Sequence, residues 1–172
     1  MTKTLRVILT LLLIIWTSLG FTQDDIIKLV DSIKYADGNY NSCNSTYWRI
    51  IKSGRKTIPL LISKMTDTAK TKAIGHCKKN FLTIGEVAYL TLKEIVDLPL
   101  FEITEIEFDV IDTIGCLIGF SDYLQENQQL FQNRVKKWYD KNKSRLVWKR
   151  YNSYDLTICQ RENGILGYYT LR

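Results

Sequence analysis

Apolar residues recur at helical spacing along most of this chain, and the polar residues between them mark where each helix starts and stops. Ile26, Ile27, Val30 and Ile33 follow two acids, Asp24 and Asp25, that suit a helix amino terminus, and the pattern fades at Asp37-Gly38-Asn39. This predicts a helix over 24–35. Ser45 is placed to cap a short helix over 45–53, which Gly54 can close in the left-handed conformation. Ile58, Leu61, Ile62 and Met65 stand at i, i+3, i+4 and i+7 with Pro59 in the first turn, where its missing N–H does little harm, and predict a helix over 56–66. Thr83-Ile84-Gly85-Glu86 is a capping-box pattern that starts a helix at Ile84, turns Val87, Ala88, Leu92, Ile95 and Val96 inward, and must stop before Pro99. Leu130, Phe131, Val135 and Trp138 predict the strongest amphipathic helix, 127–142, with Gln132, Asn133, Lys136 and Lys137 in water.

The remaining stretches lack this period. Residues 67–80 are polar and lysine-bearing. Residues 100–120 alternate weakly, carry many acids and are broken by Gly115 and Gly119, so they read as irregular with a short helix near 119–126. Near the carboxy terminus, 155–160 and 165–171 are rich in Thr, Ile and Tyr and flank Arg161-Glu162-Asn163-Gly164, whose Asn-Gly step favours a turn. A carboxy-terminal β-hairpin is expected there. The fold class is therefore mainly α, a bundle of antiparallel helix pairs ending in a hairpin.

The amino terminus is of a different kind. Lys3 and Arg6 precede an apolar run from Val7 to Leu19, and no acid occurs before Asp24. That order is the pattern of a secretory signal peptide, read here as residues 1–22, with Gly20 and Thr22 as the small residues before a cut at Gln23. The run falls short of the roughly 20 apolar residues that span a bilayer, so no stable membrane anchor is expected after cleavage. Residues 23–172 suffice for a single domain with its own core, and no Gly/Ser-rich or low-complexity stretch divides them.

Export changes how the cysteines are read. Cys43, Cys77, Cys116 and Cys159 are four, widely spaced, and all beyond the signal, so they are candidates for disulfides, with three pairings open, or in part for small buried hydrophobes in a domain large enough not to need staples. None of the spacings suits a zinc site, and no metal or other cofactor is expected. The lone histidine, His76, adjoins Cys77, and neighbouring side chains rarely face each other as a thiol–imidazole pair must. No G-x-S-x-G is present, and no catalytic residue is singled out.

Charge is distributed unevenly. The chain holds 24 Lys and Arg against 18 Asp and Glu, and without Lys3 and Arg6 the net charge is +4. Between Arg134 and Tyr151 eight bases face one acid, Asp140, and Trp138, Tyr139, Trp148 and Tyr151 are interleaved with them. Lys136, Lys137, Lys141, Arg145, Trp148, Lys149 and Arg150 are the candidate binding residues, a face for an anionic partner if the aromatics are exposed and an ordinary wet helix face if they are core. Glu102, Glu105, Glu107, Asp109 and Asp112 could supply a carboxylate pair for a hydrolase of envelope polymers, or form a solvated segment that meets the basic helix.

Two stretches carry a resemblance. Trp48-Arg49-Ile50-Ile51 through Gly54, Ile58-Pro59-Leu60-Leu61-Ile62 and Asp67 resemble one unit of the HEAT-like helical repeats, with an early Pro, paired Leu and an Asp at the turn. Thr83 to Ala88, Val135 to Tyr139 and Asn142 to Trp148 are similar to small secreted bacterial proteins. The resemblance implies helix pairs and an extracytoplasmic address, and no activity. The expected function is that of a non-catalytic periplasmic or secreted module that binds another protein; export argues against nucleic acid as the partner.

Overall fold

The computed structural model describes residues 22–78, 80–108, 110–113 and 116–172. The proposed signal segment, apart from Thr22, lies outside them, as does Asp109. The first helix, α1 (Gln23–Asp31), runs into a 3₁₀ turn (Ser32–Tyr35), and the short strand β1 (Asp37–Asn39) follows. Next come α2 (Thr46–Ser53), a 3₁₀ turn (Gly54–Thr57) and α3 (Ile58–Lys64) with Pro59 in its first turn. The middle of the chain holds β2 (Lys70–Ile74), β3 (Phe81–Thr83), α4 (Ile84–Ile95) and α5 (Leu100–Thr104). The last third is α6 (Phe120–Glu126), α7 (Gln128–Asn142), β4 (Leu146–Arg150), α8 (Ile158–Asn163) and β5 (Gly167–Leu171). The protein is mainly α, with two small sheets.

The helices α1, α2, α3, α4 and α7 arise where the apolar period put them; the Thr83 cap of α4 is formed as the sequence predicts, whereas Ser45, expected to cap α2, makes no side-chain cap bond. Thr83 accepts from the Glu86 N–H at 3.0 Å while the Glu86 carboxylate accepts from the Thr83 N–H at 2.7 Å. The α4 helix is the hub: α2 and α3 pack on it, β3 feeds into it and β5 meets its end. Ile50, Ile58, Leu61, Val87, Leu92, Phe131 and Val135 are fully buried around it, each contributing about 1.5–3 kcal/mol of apolar transfer. Gly85 makes the α3–α4 contact close. A Cβ there would lie 2.3 Å from the Met65 carbonyl oxygen, and its N–H donates to the Asp67 carbonyl at 2.9 Å.

Three stretches differ from the sequence expectation. Residues 70–74, within the stretch 67–80 read as polar, are a strand of a sheet in which β2 pairs parallel with β1 and antiparallel with β3. Thr71 and Ala73 point inward while Lys70, Lys72 and Ile74 point out; a two-residue period with lysines on the wet side looks polar in composition. Residues 100–104 are helical. The carboxy-terminal ribbon exists, but its first strand is 146–150, paired antiparallel with 167–171, and not 155–160. Residues 158–163 are instead the helix α8, begun by a Thr157/Gln160 capping box and ended by Gly164 at φ 69°. The Asn-Gly step thus closes a helix, the other structure that welcomes a left-handed glycine.

Cys43 is bonded to Cys159 and Cys77 to Cys116. The first bond ties the loop before α2 to α8, where Asn163 Nδ2 also donates to the Cys43 carbonyl at 2.9 Å. Among the described residues no helix is long and apolar enough to cross a membrane.

Candidate functional site

The basic stretch divides between a helix and a strand, and its residues do not all meet. On α7, Phe131, Val135, Trp138, Tyr139 and Asn142 face the core. Trp138 and Tyr139 are therefore packing residues and not a stacking platform. Lys137 and Lys141 stand one turn apart on the exposed side. Lys136, Asp140 and Lys143 share the flank, where Asp140 pairs with Lys136 at 2.5 Å and with Lys143 at 3.3 Å. Those two hydrogen bonds hold the Asp140 carboxyl below its ordinary value.

This flank lines a groove of about 650 Å³ whose other wall is α3, with Pro59, Ile62, Ser63 and Thr66. Gln132 bridges the walls, donating to the carbonyls of Ile62 at 2.8 Å and Ser63 at 3.1 Å. The groove is thus framed by pinned backbone at one end and by a lysine–aspartate–lysine row along its edge.

Past the turn at 143–145, β4 buries Leu146 and presents the rest to water. Trp148 is 50% exposed, the one aromatic of the stretch with a large free surface. Strand alternation sends Trp148 and Arg150 to one side of the ribbon and Lys149 to the other, where its Nζ sits 5.9 Å above the Tyr168 ring. Gly167 gives Trp148 its seat, since a Cβ at 167 would reach 2.7 Å from the indole. Arg145 donates to Asn142 Oδ1 at 3.3 Å.

The acidic segment carries its described glutamates, Glu102, Glu105 and Glu107, at the surface, and Glu105 meets Arg134 of α7 at 3.0 Å. Asp112 accepts from the Cys116 N–H at 2.8 Å, a local turn bond. Arg134 also donates to the carbonyls of Ile103 and Thr104 at 3.2 and 2.6 Å, so this arginine fastens α5 to α7. Cys77, beside His76, is spent in its disulfide and offers no thiol. Among the described residues no group of three His, Cys, Asp or Glu is placed to hold a metal ion.

Two features escaped the sequence reading. Glu94, on α4, is largely covered; burial pushes its carboxyl up, against the opposing pull of Lys93 and a hydrogen bond with Gln160. Beyond it lies a second cavity, of about 170 Å³, bounded by the 3₁₀ turn after α1, by β1, by the start of α2 and by α4. The tyrosines at 35, 40 and 47 were its only trace in the sequence, as aromatics clustered in a stretch otherwise polar.

No family model matches this chain, and neither the curated proteins nor the solved structures searched contain a match to it.

Proposed function

We propose that this protein is an exported binding module that acts without catalysis, engaging an acidic protein surface through the α7–β4 face. The observation that carries the reading is the state of its cations. Of the eight bases between Arg134 and Arg150, three are neutralised by Glu105 and Asp140, whereas Lys137, Lys141, Arg145, Lys149 and Arg150 make no ion pair among the described residues. Five unneutralised cations, with the half-exposed Trp148 on the same side of the ribbon as Arg150, have the composition of an interface that steers and then anchors an acidic partner.

The two disulfides support an oxidising address, in keeping with a cleaved signal over residues 1–22. The succession of α2, a four-residue connection and α3 with its early proline supports reading that pair as one HEAT-like unit, on which the remaining helices and both sheets are built.

The test is a charge reversal. Lys137→Glu, Lys141→Glu and Lys149→Glu together leave the core untouched and should abolish retention of acidic envelope proteins by the immobilised chain. The strongest retained protein, purified and titrated back, should bind with an affinity that falls as salt rises and drops at least about tenfold in the triple variant, a loss of about 1.4 kcal/mol. Equal binding by the reversed and native chains would remove the basis for this reading.

A further inference from the structure

The smaller cavity is a pocket of a different chemistry from the basic face, and its lining specifies a ligand. Its inner wall is aliphatic, made by Ile33, Ile50 and Val87, and beside them Tyr40 and Tyr47 meet edge to face with centroids 5.2 Å apart. Asp37 is the one charged residue among those lining it. That carboxylate is exposed and makes no ion pair among the described residues.

Two further observations bear on the occupant. On the rim, the Lys34 ammonium lies 4.9 Å from the centroid of Tyr35, so the chain itself already lays a cation on one of the cavity's rings. Burial, and then the nearby charge of Glu94, push the Tyr40 hydroxyl up to about 12, so this wall stays neutral at every physiological pH.

Size narrows the choice. A space of about 170 Å³ corresponds to about six waters at their liquid volume, below the roughly 300 Å³ at which pockets for drug-sized molecules begin. An unpaired carboxylate at the mouth opposes an anion. We propose that this cavity binds a small organic ammonium ion, its nitrogen between Asp37 and the tyrosine rings and its short carbon chain on Ile33, Ile50 and Val87. Ethanolamine and choline share this chemistry and differ only in the substitution of the nitrogen; the site is independent of the basic face and of the function proposed for it.

The experiment is a titration of the purified chain, followed by NMR of its isoleucine and valine methyl groups, with ethanolamine and with choline as probes. Saturable shifts at Ile33, Ile50 and Val87 are expected with at least one of the two, and whichever binds more tightly identifies the nitrogen the pocket prefers. Asp37→Asn should weaken that binding about tenfold or more. Asn44→Trp, at an exposed position on the mouth, should block it while leaving the melting temperature unchanged. The uncharged carbon isostere of choline, which matches it in shape alone, should bind at least about tenfold more weakly, as loss of a desolvated cation–π contact and its counter-charge requires. Absence of saturable shifts with both amines into the tens of millimolar overturns the assignment. So does undiminished binding in Asp37→Asn, or equal binding of the uncharged isostere.

Discussion

Glu94 and Glu86 lie on the same helix, two turns apart, and the fold treats their charges in opposite ways. Burial raises the Glu94 carboxyl above its ordinary 4.5. A group whose folded value is raised contributes stability that is fully present below that ordinary value and is lost as pH rises through the raised one. Glu94→Gln keeps the bond to Gln160 without the buried charge, so at pH 7 it should melt higher than the native chain, and the difference should vanish on acidification below 4.5; a lower melting temperature at pH 7 would contradict the assignment. At Glu86 burial also acts upward, but the bonds from Lys78 and from the Thr83 N–H and hydroxyl, with the charge of Lys78, outweigh it and hold the carboxyl below 4.5. Its contribution is present above 4.5 and lost as pH falls through the depressed value. Glu86→Gln should therefore cost about 1–2 kcal/mol at pH 7 and nothing in acid, as urea unfolding at both pH values will show. Gly85 is constrained by shape alone. With the Met65 carbonyl where its Cβ would go, Gly85→Ala must part α4 from α3, at a cost of about 3 kcal/mol in the same assay.

At the scale of elements, short pieces persist because something distant holds them. The six-residue α8 is well below the roughly 12 residues at which an isolated helix becomes marginal in water. Its capping box, the Cys43–Cys159 bond and the Asn163 side chain hold it in place. That disulfide spans 116 residues, against 39 for Cys77–Cys116, so loop-closure entropy assigns it the larger effect, about 5 against about 4 kcal/mol. Replacing Cys43 and Cys159 by Ser should lower the urea midpoint more than replacing Cys77 and Cys116, and reversal of that order would show that the loops are already structured when unfolded. The α5 helix, five residues long, hangs on Arg134. Arg134→Ala loses bonds to two carbonyls as well as the exposed pair with Glu105, and should cost about 2 kcal/mol, whereas Glu105→Gln should cost less than about 1.

Across the whole molecule the charges are sorted along the sequence. Residues 94–133 contain nine acids and no base, and the next seventeen residues contain eight bases and one acid. Where the two blocks meet in space, Arg134 and Glu105 join them, and the remaining cations face outward at the far end of α7 and along β4. Reversal of the outward cations should therefore alter partner binding and its salt dependence with little change in melting temperature, since exposed charges without partners contribute little to stability. A large drop in melting temperature would instead place them in the structural framework.

The sequence by itself determined what depends on neighbours a few residues apart. The 3.6-residue period and the Thr83/Glu86 box located α4 and α7 to within a few residues, and Pro59 marked the start of α3, because helix formation is decided by local spacing and by the few N–H groups that a cap must satisfy. Tertiary structure alone decided what depends on residues far apart. It chose Leu146–Arg150 as the partner of Gly167–Leu171, picked one cysteine pairing of three, and turned Trp138 inward and Trp148 outward. It also closed Asp37, Ser45 and Val87 around one small cavity. Each of these outcomes is set by which surfaces meet once loops of tens of residues have closed, and a surface does not exist until they have.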